Sequence, residues 1–254
     1  MKSSELNDLF DYGYSIYQNS DYFKFSIDSV LLAEFVNIKK GKTKLIDLCT
    51  GNAPIPMILH KKFGDSINIT GVELQKDIYD LGIKSLKYNG ISSINLINDD
   101  IKNIVDLFKN NKFDVITCNP PYFKNNETDY INENEIKAIA RHEVKIDLES
   151  LVIIASKIIQ NQGDFYLVHR PDRIAEVIST LNKYNFGVKK IVPIYDDKTK
   201  NACLFLIESV FNGKNYVIID KPVFLSDYKS YKNIFERWFY EINNWFRKSR
   251  KRLY

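Results

Sequence analysis

Lys44-Leu45-Ile46-Asp47-Leu48-Cys49-Thr50-Gly51-Asn52-Ala53-Pro54 is the stretch whose reading decides the fold. Lys44 to Leu48 reads as a short buried strand. A turn of small residues follows, and Pro54 to Phe63 reads as a helix whose prolines sit in its first turn, where a missing N–H costs nothing. The pattern then repeats downstream. Ile67 to Glu73 reads as a second strand, and Lys76 to Asn89 as a helix stopped by Gly90. Ile94 to Ile97 and Phe113 to Cys118 read as the third and fourth strands. Helix Leu148–Ile159, strand Asp164–His169, helix Arg173–Tyr184 and extended runs Val188–Ile194 and Ala202–Phe211 complete the series. Strands alternating with helices imply a parallel sheet covered on both faces. Ligands of such sheets sit beyond the carboxyl ends of the strands, near the point where strand order reverses.

The residues able to do chemistry fall at those ends. Gly51, in the first strand-to-helix turn, lets a ligand approach the backbone, and the helix behind it offers free N–H groups. Asp47, Asn52 and Thr50 surround it. Glu73 closes the second strand, where a carboxylate can accept from both hydroxyls of a ribose. Asp99-Asp100 closes the third, placed for one acid to take an adenine amino group. Asn119-Pro120-Pro121-Tyr122 follows the fourth strand directly. Paired prolines stiffen that turn. A rigid turn can present the Asn side-chain oxygen and a neighbouring carbonyl together, two acceptors for the two hydrogens of a planar amine. Tyr122 offers a face on which a base can stack, worth about 1–3 kcal/mol.

Composition bounds the rest. The 254 residues, 44% of them hydrophobic, suit a single domain over 1–254. No run is apolar and long enough to span a bilayer, and the first residues lack the basic-then-apolar order of a signal peptide. A cytoplasmic protein without membrane contact is expected. Cys49, Cys118 and Cys203 lie far apart, and His60, His142 and His169 are scattered, so neither a disulfide framework nor a metal site is expected. Residues 1–43 read as an aromatic-rich helical lead-in. In 229–254, Tyr231, Ile234, Phe235, Trp238, Ile242, Trp245 and Phe246 recur at helical spacing before a basic end. From Arg237 onward six basic residues face one acidic one, more positive charge than the whole chain's +4. That end is either a solvated tail or a grip for a polyanion. Lys124 to Glu135 is polar and reads as a long loop.

Taken in order, Phe25-Ser26-Ile27-Asp28-Ser29-Val30-Leu31-Leu32, Asp47 to Asn52, Glu73, Asp100 and Asn119-Pro120-Pro121-Tyr122 resemble the class I N6-adenine methyltransferases. The likeness is closer to the bacterial members that methylate adenine-37 of valine tRNA, and runs from about Tyr22 to Phe211. Ala140-Arg141-His142-Glu143 and His169-Arg170-Pro171-Asp172-Arg173 support it. The resemblance implies a Rossmann-like, mostly parallel seven-stranded sheet with helices on both faces, S-adenosylmethionine as cofactor and tRNA as partner, with no metal and no obligate protein partner. It also implies cofactor contacts by Asp47, Gly51, Asn52, Glu73, Asp100 and Asn119, and a catalytic turn of Asn119, Pro120, Pro121 and Tyr122. The family usually has glycine where Cys49 and Ala53 stand.

Adenine in DNA, adenine in rRNA and a protein glutamine amide are alternative targets of the same turn. Against glutamine, only about 45 residues precede the first strand, too few for a helical substrate-binding domain. Against DNA, the chain leaves little room for a target-recognition region. A non-enzymatic RNA-binding module has no need of Glu73 and Asn119 at strand ends. RNA phosphate contacts are expected from Arg141, Arg170, Arg173, Arg247, Lys248, Arg250, Lys251 and Arg252. The alternative for Arg141 is an ion cluster at a helix start. For Arg170 and Arg173 it is pairing with Asp172 and Glu176.

Overall fold

The computed structural model describes residues 4–9, 12–19, 27–38, 43–120 and 146–227. Two short strands come first, β1 (Glu5–Asp8) and β2 (Ser15–Gln18), then helix α1 (Ile27–Phe35). There follow β3 (Thr43–Leu48), α2 (Pro54–Phe63), β4 (Ile67–Glu73), α3 (Lys76–Tyr88), β5 (Ile94–Asn98), α4 (Ile104–Phe108) and β6 (Phe113–Cys118). The remainder is α5 (Leu148–Ile158), β7 (Ile159–His169), α6 (Ile174–Lys183), β8 (Phe186–Tyr195), β9 (Ala202–Phe211), β10 (Ile218–Ile219) and β11 (Val223–Phe224).

Local chemistry sets the boundaries. Pro54 stands at the start of α2, and Gly64 stops it at a positive φ of 53°, which glycine adopts without strain. Gly90 does the same just beyond α3 (φ 67°). Asp147 caps α5 by accepting from the backbone N–H of Ser150 at 2.8 Å.

The main sheet has nine strands in the order β10-β8-β9-β7-β6-β3-β4-β5, with β11 also pairing β8. Strands β7, β6, β3, β4 and β5 run parallel, while β9 lies antiparallel between β7 and β8. The chain leaves β3 for β4 and β5 on one side, then returns to place β6 and β7 on the other. Strand order therefore reverses between β3 and β6. The strand interiors are buried on both faces, as a parallel sheet requires. One apolar cluster joins Leu45, Ile69 and Val115 to α1, α2 and Leu86 of α3. The other joins Ile46, Val72 and Ile116 to α4, α5 and α6.

The expected seven strands are present as β8-β9-β7-β6-β3-β4-β5, and among the described residues the two-residue strands β10 and β11 add to the edge at β8. Two other expectations need correction. Among the described residues of the lead-in, helix is confined to α1, and before it β1 and β2 form an antiparallel hairpin. That hairpin is held from outside, which local periodicity does not record. Tyr17 N–H donates to Ser85 Oγ at 2.9 Å. Asn89 brackets Ser15, accepting from its N–H (2.9 Å) and donating to its carbonyl (2.6 Å). Finally, β7 starts at Ile159, straight out of α5, where the sequence suggested a gap before Asp164. The segments 124–135 and 229–254 lie outside the described residues. No helix among the described residues is long and apolar enough to cross a membrane.

Candidate active site at the carboxyl edge of the sheet

Register brings the candidate residues together. Leu48 of β3 pairs with Val72 of β4 on one side and Cys118 of β6 on the other. Cys49, Glu73 and Asn119 are thus the next residues on three adjacent strands, at the point where strand order reverses.

The turn after β3 is built on buried polar contacts. Asp47 is fully buried, and its two carboxylate oxygens accept from Thr50 Oγ1 and Thr117 Oγ1, each at 2.6 Å. One carboxylate so ties the turn to β6, two residues before Asn119. Burial pushes the Asp47 carboxyl up to about 7; the two threonine hydroxyls oppose this and the neighbouring Glu73 charge adds to it. Thr50 N–H donates to the Val72 carbonyl at 2.9 Å. Cys49, Gly51 and Ala53 all have positive φ, at 57°, 60° and 70°. Cys49 and Ala53 thus place side chains on a left-handed backbone that favours none. An added Cβ on Gly51 would meet no atom within 4 Å, which leaves the turn open toward a ligand.

Glu73 is 6% exposed and braces the same turn, accepting from Gly51 N–H at 2.9 Å and from Gln75 N–H at 2.8 Å. Burial raises its pKa, opposed by those N–H donors. Leu74, the next residue, is an apolar side chain 40% exposed at the strand end. Beside it, Asp99 N–H donates to the Glu73 carbonyl at 3.1 Å. The Asp100 carboxylate accepts from Lys102 N–H at 2.8 Å and stays partly exposed. Asn52 is turned away from this edge, its amide donating to the Tyr17 carbonyl at 2.8 Å, so the hairpin props the turn from behind.

Asn119 is half-buried and its Nδ2 donates to Ser29 Oγ at 3.1 Å. Pro120 is buried behind it. At the end of β7, His169 is buried against Phe205 and takes the Arg170 N–H on Nδ1 at 2.8 Å. Burial and the Arg173 charge hold its pKa down at about 4, so the ring is neutral at neutral pH. Arg170 pairs with Asp172 at 3.2 Å, and Arg173 grips Glu176 with two nitrogens at 2.8 and 2.5 Å. The pairing alternative is therefore the one observed for these two arginines. Pro121, Tyr122, Arg141, Arg247, Lys248, Arg250, Lys251 and Arg252 lie outside the described residues.

Sequence reasoning did not single out Ser29, Thr117, Leu74 or the Tyr17 carbonyl. Leu74 carried a signal, an apolar residue directly after a strand-ending acid. Ser29 fell inside the Phe25–Leu32 stretch that carried the resemblance, without a role of its own, and Thr117 and the Tyr17 carbonyl act across long sequence separations.

This edge offers a braced open turn, a buried acid with an apolar neighbour, and an amide on a proline-stiffened turn. Such an arrangement can hold a nucleoside and offer acceptors to an amine. A predicted O-methyltransferase from Agrobacterium tumefaciens has the same fold, with a TM-score of 0.61 at 20% identity over 78% of this chain and 86% of that one. The tRNA1(Val) (adenine(37)-N6)-methyltransferase of Cytophaga hutchinsonii is 24% identical over 189 residues, 74% of this chain and 76% of that protein. The protein of the same name from Aliivibrio salmonicida is 24% identical over 212 residues, 83% of this chain and 86% of the relative. Residues 24–163, more than half of the chain, match the methyltransferase small domain family, and the chain belongs to that family.

Proposed function

We propose that the chain moves a methyl group from S-adenosylmethionine to N6 of adenine in tRNA, with adenine-37 of valine tRNA as the target. The observation that carries this reading is the position of Asn119. It leaves β6 next to the Gly51 turn and the Glu73 strand end, in a chain whose relatives bear that name.

The residues present fit the cofactor. Glu73 is a buried acid at a strand end, suited to a ribose diol, while exposed Leu74 suits one face of an adenine and partly exposed Asp100 its edge. The space at Gly51 suits the approach of the methionine portion. When bound, S-adenosylmethionine supplies an electrophilic methyl carbon on a sulfonium leaving group. Asn119 Oδ1 and a neighbouring carbonyl accept the two N–H groups of the adenine amine, raising the electron density on nitrogen. Holding the two reactants in line makes the displacement effectively unimolecular, which a conjugated, weakly nucleophilic amine requires. Tyr122 supplies a stacking face for the base. No role in this reading calls for a metal or a protein partner, and the cytoplasm supplies the tRNA. The basic residues Arg141, Arg247, Lys248, Arg250, Lys251 and Arg252 are assigned to phosphate.

The test is incubation of a valine tRNA transcript with enzyme and S-adenosylmethionine, followed by nucleoside mass spectrometry. N6-methyladenosine should form, and a transcript with guanosine at position 37 should yield none. Methylation of both transcripts would move the target elsewhere. Methylation of neither, with glutamine-containing protein fragments methylated instead, would overturn the reading.

A further inference from the structure

We propose that Ser29 is a positioning residue for methyl transfer, holding the Asn119 amide by its nitrogen so that the amide oxygen meets the target amine. The inference rests on the role given to Asn119 above. Ser29 lies in the first turn of α1, 90 residues from Asn119 in the chain, and is 5% exposed.

An asparagine side chain needs such a partner. Its second torsion joins tetrahedral to planar carbon and has broad, shallow minima. Pro120 stiffens the backbone after Asn119 but does nothing for that torsion. The Ser29 hydroxyl accepts from Nδ2 at 3.1 Å, which places Oδ1 at the opposite corner of the planar amide. A hydroxyl can also donate, so Ser29 by itself does not sort the two ends. The reaction does: an amine presenting two N–H donors can be met only by Oδ1, and Ser29 is a partner that still bonds the amide nitrogen in that orientation.

The element that carries Ser29 is fixed firmly enough for this task. Val30, Leu31, Leu32 and Ala33 are at most 1% exposed. At the other end of α1, Lys62 Nζ donates to the carbonyls of Ala33 and Glu34, both at 3.0 Å, where a cation also complements the helix dipole. The Glu34 carboxylate pairs with the same ammonium at 3.0 Å and accepts from the Tyr12 phenol. Displacing Ser29 along its helix axis would break a buried ion pair.

A double-mutant cycle on turnover tests this, with a valine tRNA transcript and saturating S-adenosylmethionine. Ser29→Ala should lower kcat by about tenfold, the loss of one hydrogen bond at the transition state. Cofactor affinity and Tm should change little. Ser29→Thr, which keeps the hydroxyl, should recover most of kcat. In an Asn119→Ala background, Ser29→Ala should have almost no further effect, because its only route to the amine is gone. An equal loss in both backgrounds, or a loss confined to cofactor affinity, overturns the inference and makes Ser29 a packing residue. Near-normal kcat for Ser29→Ala beside a deep loss for Asn119→Ala also overturns it, leaving the role of Asn119 intact. Near-normal kcat for Asn119→Ala itself removes that role, and this inference with it.

Discussion

Asp47, Glu73 and Cys49 show how differently one short stretch can use its side chains. The sequence placed Asp47 and Glu73 at the carboxyl ends of the first two parallel strands, and both stand there. What it does not display is that Asp47 is spent on Thr50 and Thr117, and that Glu73 braces Gly51. A residue's neighbours across strands are set by register, which periodicity predicts only as a class. Glu73→Ala should weaken S-adenosylmethionine binding by roughly 1–3 kcal/mol through lost hydrogen bonds, with tRNA affinity unchanged; calorimetry against each ligand reads both. Cys49 answers a separate question, the cost of its φ of 57°. Cys49→Ala and Cys49→Gly both remove the thiol, but only glycine relieves the left-handed strain. The relief of about 1–2 kcal/mol is partly offset by the greater freedom of glycine in the unfolded chain, about 0.4–1 kcal/mol. Cys49→Gly should therefore be the more stable of the two by about 0.5–1 kcal/mol. Equal urea midpoints would mean the turn relaxes once the thiol is gone.

Among the elements, β4, β6, β9 and α2 were legible to the residue because each carries its own punctuation. Pro54 opens α2 and an acid or Asn119-Pro120 closes a strand. The hairpin was not legible: β1 is mostly exposed and shows no alternation, and its partner strand is secured by Ser85, Asn89 and Asn52 far along the chain. Helix α1 falls between these cases. Its apolar run was readable, but its anchoring to α2 through Glu34 and Lys62 was not. Glu34 is buried and Lys62 nearly so, with side chains 7% and 14% exposed, and burial lowers the Lys62 pKa against the pull of Glu34. Removing one member leaves the other charge uncompensated. Lys62→Met should cost about 3–5 kcal/mol, while Lys62→Met with Glu34→Gln should cost much less, since no buried charge remains. A double replacement as damaging as the single one would show that Lys62 stabilises through its bonds to the Ala33 and Glu34 carbonyls instead.

For the molecule as a whole, three buried titratable groups along one sheet edge set opposing dependences on pH. Asp47 has a folded pKa of about 7, above its ordinary value of 3.8, and Glu73 is shifted the same way. A group raised on folding contributes stability that is complete below its unfolded pKa and is lost as pH rises through the folded one. Both carboxyls therefore favour the fold at low pH and withdraw that support as pH rises, Asp47 by up to about 4 kcal/mol between pH 4 and 7. His169 works the other way. Its folded pKa of about 4 lies below the ordinary 6.5, so its contribution is complete above pH 6.5 and is lost as pH falls toward 4. Between pH 4 and 7 the two trends largely cancel, and wild-type stability should vary little there. Asp47→Asn exposes the balance. The amide is neutral at every pH, and the threonine hydroxyls can turn so that one donates to Oδ1 and the other accepts from Nδ2. With the larger acid contribution removed, the stability of Asp47→Asn should climb from pH 4 to 6.5 on the His169 trend. Above pH 7 it should equal or exceed that of wild type. Urea unfolding at half-unit pH steps measures both curves. Parallel curves for the two proteins would mean that Asp47 is ionised throughout, held so by its two hydroxyl donors in spite of full burial.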